Sequence, residues 1–219
     1  MRIVAALAAV LGWAALAGQL YLSLEAGAAT GQATTETLLR YISFFTILTN
    51  ILVALVLTQA ARAPGRGVLG KPRIQAAAAS YIIVVGLIYF AILRHEWAPT
   101  GLQWLVDVIL HYAMPPIYLA FWLIFAPKGK GSGKGPGEGV SWTAPLRWLA
   151  YPAAYLAWIL ARGAVSGFYP YPFIDVRRLG YDGMALNALA VAGVFIAVGL
   201  AIVALARLAG SRLSARSQA

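Results

Sequence analysis

Two short segments of the sequence hold residue types that could do chemistry. In VDVILHYAMPPIY, Asp107 and His111 are four residues apart, which on a helix puts them on one face, one turn from each other. A carboxylate so placed fixes the tautomer of the imidazole and supports its protonated form, as a general base requires. In RYISFFTILTNIL, Ser43, Thr46 and Asn50 follow at i, i+3 and i+7, a single polar stripe on a helix. A hydroxyl beside an imidazole and a carboxylate is the minimum set for a nucleophile with its base. The same residues also have an architectural use, because serine and threonine bond back to their own helix or join neighbouring helices. A hydrogen-bonded Asp and His pair can likewise tie helices together.

A third group lies later in the chain. Tyr151, Tyr155, Trp158 and Arg162 share one helical face that ends in a cation. The planar fork of Arg162 suits a pairing with Asp175 or the binding of a carboxylate or phosphate headgroup, although snorkelling to the interface would also account for it. The segment VSGFYPYPFIDVRRLGYDG, Val165 to Gly183, stands out between apolar runs. Its prolines favour turns, its tyrosines suit a membrane interface, and irregular backbone at that depth needs protein or water against it. The segment therefore reads as a cap over the outer mouth of a helical bundle, packed on a cavity. Asp175, Tyr181 and, one turn into the last apolar run, Asn187 would join Asn50 and Arg162 as ligand-binding residues. Ser43, Thr46, Asp107 and His111 would be the catalytic ones.

The elements that must position these residues are apolar. The chain has 219 residues, 61% hydrophobic and 11% charged, with a mean hydropathy of +0.76, well above the balance of a soluble domain. About 20 apolar residues cross the hydrocarbon core, and six runs qualify: 3 to 24, 38 to 60, 74 to 93, 102 to 126, 146 to 163 and 184 to 206. The expectation is an all-α membrane bundle of six transmembrane helices, one domain over 1–207 followed by a basic cytoplasmic tail over 208–219. The start, with Met1, Arg2 and an apolar run through ALAG, mimics a cleavable leader, but the run continues to Leu24 and is counted here as the first span.

Charge sets the expected orientation. Of 17 Lys and Arg, 12 fall on one side: Arg2, Arg62, Arg66, Lys71, Arg73, Lys128, Lys130, Lys134, Arg147, Arg207, Arg212 and Arg216. Arg40, Arg94, Arg162, Arg177 and Arg178 fall on the other. Positive residues favour the cytoplasm, so both termini are expected inside a multi-pass plasma-membrane protein. The net charge of +10 is then a topology signal with membrane lipids, their anionic headgroups above all, as the partners. There is no basic domain to carry a nucleic-acid footprint. Pro127 to Trp142, rich in glycine and lysine, reads as a flexible cytoplasmic linker. The outer connections hold His95 and five of the seven acids, so the candidate chemistry gathers on the outer side.

Several chemistries are excluded. With no cysteine, thiol catalysis and thiolate metal sites are out. Axial haem ligation needs histidines at matched height on facing helices, and the second histidine, His95, closes the third run. No lysine lies inside a run, which removes a Schiff-base pigment. The G-x-S-x-G, P-loop and H-E-x-x-H patterns are absent. No cofactor or metal is called for.

The runs FFTILTNILVAL, VDVILHYAMPPIYLAFWLIFAPKG and YPAAYLAWILARGAVSGFYPYPFIDVRRLGY, with Asn187 after them, resemble the bacterial six-helix integral membrane proteins of the Pr-six-Pr family over nearly the whole chain. These are in turn distantly similar to the androgen-induced protein and androgen-dependent regulator family, intramembrane hydrolases of fatty acid esters of hydroxy fatty acids that use a threonine and a histidine. The resemblance implies that His111, ahead of Pro116 and Ile117, is the histidine. It aligns the nucleophile best with Ser43 in RYISF, where the hydroxyl is serine rather than threonine and Thr46 competes one turn away. The implied function is hydrolysis of a lipid ester, with a fatty acid ester as substrate. The alternative drawn from the same residues is a lipid or small-molecule binding protein or transporter without catalysis.

Overall fold

The computed structural model describes residues 1–126 and 140–216, with side chains through Leu208. The expected linker residues 127–139 and the last three residues of the expected tail lie outside the described residues. Every regular element among the described residues is helical: α1 (Arg2–Ala29), α2 (Thr34–Tyr41), α3 (Phe45–Arg62), α4 (Pro72–Ala91), α5 (Gly101–Val108), α6 (Met114–Phe125), α7 (Ala144–Trp148), α8 (Ala150–Ser166) and α9 (Val176–Arg216). Short 3-10 turns occupy Leu93–His95 and Pro172–Ile174, and a π-turn joins α5 to α6 over Ile109–Ala113.

Five segments among the described residues are long and apolar enough to cross a membrane: Arg2–Ala29, Phe45–Arg62, Pro72–His95, Gly101–Phe125 and Val176–Leu208. The chain is a helical membrane protein, with large apolar side chains such as Ile3, Leu7, Val10, Leu186 and Leu189 turned outward. The fifth expected run, 146 to 163, does not form one such helix. It breaks at Leu149, leaving α7 and a 17-residue α8. The cause is Pro152, which has no N–H to offer the Trp148 carbonyl four residues back. The Tyr81 hydroxyl donates to that carbonyl instead, at 2.8 Å.

The second expected run is also interrupted, at Ile42 to Phe44, between α2 and α3. Ser43 lies in the break, so the stripe Ser43, Thr46, Asn50 is not a face of one continuous helix. The Ser43 hydroxyl donates to the Leu39 carbonyl at 2.5 Å, where the Ser43 N–H would otherwise go, and that N–H bonds Arg40 O instead. A side chain that competes for a helical carbonyl in this way ends the helix.

Packing uses small residues where helices approach closely. Ala5, Ala8, Ala9, Gly12 and Ala15 on α1 are buried, and a Cβ on Gly12 would meet the Met114 methyl at 3.1 Å and Ala54 at 3.6 Å. Ala76 to Ala79 form a buried run on α4. Trp122, Tyr118, Leu57 and Ile82 fill the centre of the bundle. The backbone of α9 continues to Arg216, past the expected boundary at 207.

Candidate functional site

The N-terminus of α3 is held by tyrosines. Tyr155, on α8, donates to the Ser43 carbonyl at 2.7 Å, and the Thr46 N–H donates to the Tyr171 hydroxyl at 3.3 Å. Thr49 and Tyr151 lie 3.5 Å apart through their hydroxyls. The first turn of a helix has N–H groups with no intrahelical partner, and no side chain caps α3 through its N-cap residue Phe44. Tyr171 supplies an acceptor from the connection between α8 and α9. Ser43 and Thr46 are both buried.

Beside this knot lies a cavity of about 520 Å³, within the usual size of small-molecule sites, roughly 300 to 1,000 Å³. Val84 and Ile88 of α4, Leu156 of α8, Ala188 and Phe195 of α9, and Phe173 of the cap are among its walls. Sequence leads to a polar cavity on the outer side, whereas these walls are almost wholly hydrocarbon. Among the described residues, Thr46, Tyr155 and Tyr171 bring the hydroxyls to the lining. The cap segment therefore packs on a cavity, with Tyr171 and Ile174 buried and Phe173 stacked on Tyr171 with ring centroids 5.3 Å apart.

Asp107 and His111 belong to a different place. His111 Nδ1 is 3.1 Å from Asp107 Oδ1 and 3.1 Å from the Asp107 carbonyl. A carbonyl only accepts, so Nδ1 carries a proton. The Nδ1–H aligns with the carbonyl, and Asp107 Oδ1, although close, is left without a hydrogen bond. Tyr89 of α4 donates to Asp107 Oδ2, and its ring stacks on the imidazole at 3.8 Å and 18°.

The tandem prolines explain the local backbone. The Met114 N–H reaches back five residues to Ile109 O, and Pro115 has no N–H, so Leu110 O has no donor in its own helix. Asn50 fills the gap: its Nδ2 donates to Leu110 O at 3.4 Å and to Thr46 O at 2.9 Å. The distortion is a π-turn just before Pro115 and Pro116. Gly86 lets α4 approach it, since a Cβ there would come within 3.3 Å of His111 O.

Asn50 is thus the link between the two places. Among the described residues no hydrogen bond joins the hydroxyl of Ser43 or Thr46 to His111, and neither Asp107 nor His111 lines the cavity. Thr46 does line it, while Ser43 does not, its hydroxyl being engaged by Leu39 O.

The remaining sequence-derived residues have separate partners. Arg162 pairs with Glu36 at 2.8 Å rather than with Asp175. Asp175 takes three hydrogen bonds from Arg177, one from its N–H and two from its guanidinium, at 3.0 to 3.1 Å. The nearer donor wins because it costs almost no ordering to bring it there. Hydrogen bonds from Arg177 hold the Asp175 carboxyl below its usual range. Asn187 donates to Phe173 O at 3.0 Å and fastens the cap to α9, while Tyr181 is 69% exposed and does not line the cavity.

Sequence reasoning passed over Tyr89, Tyr171, Glu36 and Phe168. Only Glu36 had a legible signal, an acid four residues before Arg40 on the short α2; the others are set by contacts between distant segments. Among the described residues no group of three or more His, Asp or Glu is placed to hold a metal ion. No family model, no curated protein and no solved structure matches this chain.

Proposed function

We propose that this chain is a multi-pass plasma-membrane protein that binds a lipid-like, largely apolar molecule in the cavity between α3, α4, α8 and α9. It crosses the membrane six times with both termini in the cytoplasm, α7 and α8 making one kinked passage. The observation that carries the reading is the cavity itself: about 520 Å³ walled by hydrocarbon, with the hydroxyls of Thr46, Tyr155 and Tyr171 as its polar lining. Such a site takes a neutral chain and orients it through one polar end. A fluorescent long-chain alcohol titrated into the purified full chain tests it. Saturable binding that disappears in Ala153→Phe and Ala188→Phe, which fill the cavity, supports the reading; undiminished binding in both contradicts it.

One observation favours hydrolysis of a lipid ester as a second reading. The Asp107 carbonyl holds His111 Nδ1, with the Asp107 carboxylate 3.1 Å away, an orientation that suits a general base. The resemblance to the Pr-six-Pr proteins points the same way. Thr46, on the cavity wall, is then the better placed nucleophile than Ser43, and attack requires α3 and the π-turn to move so that Thr46 and His111 meet. Treatment with a lipid-like fluorophosphonate, followed by intact mass, separates the two: an adduct lost in Thr46→Ala and His111→Ala supports catalysis, and no adduct in the wild type leaves binding alone.

A further inference from the structure

A second site lies on the outer rim, away from the cavity wall. Arg162 is 7% exposed, yet of its guanidinium nitrogens only Nη2 has a hydrogen-bond partner, Glu36 Oε1 at 2.8 Å. Nε and Nη1, with three N–H groups between them, face no acceptor. Removing such donors from water without a partner is costly, most of all when they carry charge. The same Glu36 oxygen also accepts from Arg40 Nε at 2.8 Å. Two guanidinium groups therefore share a single oxygen atom of one carboxylate, and the cluster carries one uncompensated positive charge.

Phe168 completes the arrangement. Arg40 and Arg162 lie 4.7 and 4.9 Å from the centroid of its ring, so the ring contributes cation–π attraction to both without supplying an oxygen. The open side is formed by Arg40 and Glu36, whose side chains are 44% and 31% exposed, so the approach to Arg162 passes Glu36. The hydrogen bonds from Arg40 and Arg162 keep the Glu36 carboxyl below its ordinary range, which agrees with an anion held between two cations.

We propose that Arg162, Arg40 and Phe168 form a receptor for a singly charged oxyanion, a carboxylate or phosphodiester group, and that Glu36 is the resident carboxylate which such a ligand displaces from Arg162. Once Glu36 has left Nη2, that nitrogen forms an edge with Nε or with Nη1 that matches two oxygens on one centre, and one ligand charge neutralises the cluster. This site is independent of what the cavity holds. The ligand is a lipid headgroup of the outer leaflet or a small free anion, since both present the same oxygens.

The test is the thermal midpoint of the full chain in an uncharged detergent. One arm adds sodium acetate against sodium chloride at equal ionic strength; the other adds short-chain phosphatidylglycerol against diacylglycerol of the same chain length. A saturable rise in the first arm alone assigns a free anion, and a rise in the second alone, or in both, assigns a headgroup or the shared chemistry. Arg162→Lys keeps the charge and removes the fork, and should raise the half-saturating concentration about tenfold, the ratio that corresponds to one lost charge-assisted hydrogen bond. Glu36→Gln, which leaves Arg162 in place and weakens its competitor, should lower the half-saturating concentration. No rise in either arm in the wild type and Glu36→Gln forms overturns the site, as does a rise that Arg162→Lys leaves unchanged. Should Arg162→Lys fail to fold, the tightening in Glu36→Gln decides by itself.

Discussion

Two regions flank α3, and they are built on opposite terms. On one side Thr46 faces the apolar cavity with Tyr155 and Tyr171, all neutral groups around open space. On the other, Asn50 reaches the π-turn that carries His111, where a buried carboxylate, an imidazole and the Tyr89 ring are stacked tightly together. Hydroxyls and hydrocarbon with room between them suit a ligand. An ionisable pair packed under an aromatic ring suits a fixed structure or a proton. The presence of both on one helix means that polar residues inside a membrane span do not by themselves mark one site, and that the space around them decides what they do.

The comparison can be broken by mutation. Asp107→Leu takes the charged acceptor from the buried Tyr89 hydroxyl and the carboxylate from beside His111 Nδ1, and should lower stability by about 3 kcal/mol, the upper end for the loss of a hydrogen bond to a charged group. The thermal midpoint and the denaturant midpoint in detergent check this. A change near zero would mean that the tight region is not holding the bundle. Asn50→Leu comes next, because it removes the Asn50 side-chain donor to Leu110 O and should cost about 1 to 3 kcal/mol, as an unsatisfied buried group does. On the cavity side the effects should be smaller. Tyr171→Phe and Tyr155→Phe each remove one hydrogen bond at the start of α3 and should cost about 1 kcal/mol, with a larger change in ligand affinity than in stability.

Acid gives the smallest effect and tests the arginine-paired carboxyls alone. The carboxyls of Glu36 and Asp175 lie below their ordinary ranges because arginines hydrogen-bond them. A lowered folded value stabilises the fold at pH above the unfolded range, and that stabilisation is lost as pH falls through the folded value. The thermal midpoint should therefore drop as pH is lowered below the ordinary carboxylate range. The drop should be reduced in Glu36→Gln and in Asp175→Asn, because each removes one titrating carboxyl. An acid response identical in both variants and the wild type would assign it to other groups.

Much of the fold was legible because hydrophobic runs are local information. The helical class, the apolar segments and the capping role of the stretch around Tyr171 follow from composition and turn chemistry. The breaks were not. Ser43 was read as one member of a helical stripe, but its hydroxyl competes with its own N–H for Leu39 O, and periodicity does not register such a choice. The run 146 to 163 was counted as one span, but Pro152 breaks it, and Tyr81 is the replacement donor to the Trp148 carbonyl. Of the site, the i,i+4 relation of Asp107 and His111 survived because it is helical geometry. The pairing of Arg162 with Glu36, 126 positions away in sequence, was beyond any local pattern, whereas Asp175, the nearer acid, is taken by the arginine two residues after it.

The reading of the cavity can be checked most directly by native mass spectrometry of the full chain, released from detergent in its wild-type and Ala188→Phe forms. Binding in the cavity predicts a lipid-sized adduct of one mass or one narrow mass series on the wild type, lost in the variant while the protein stays folded. Equal adducts on both forms, or none on either after growth and purification in lipid, would contradict it.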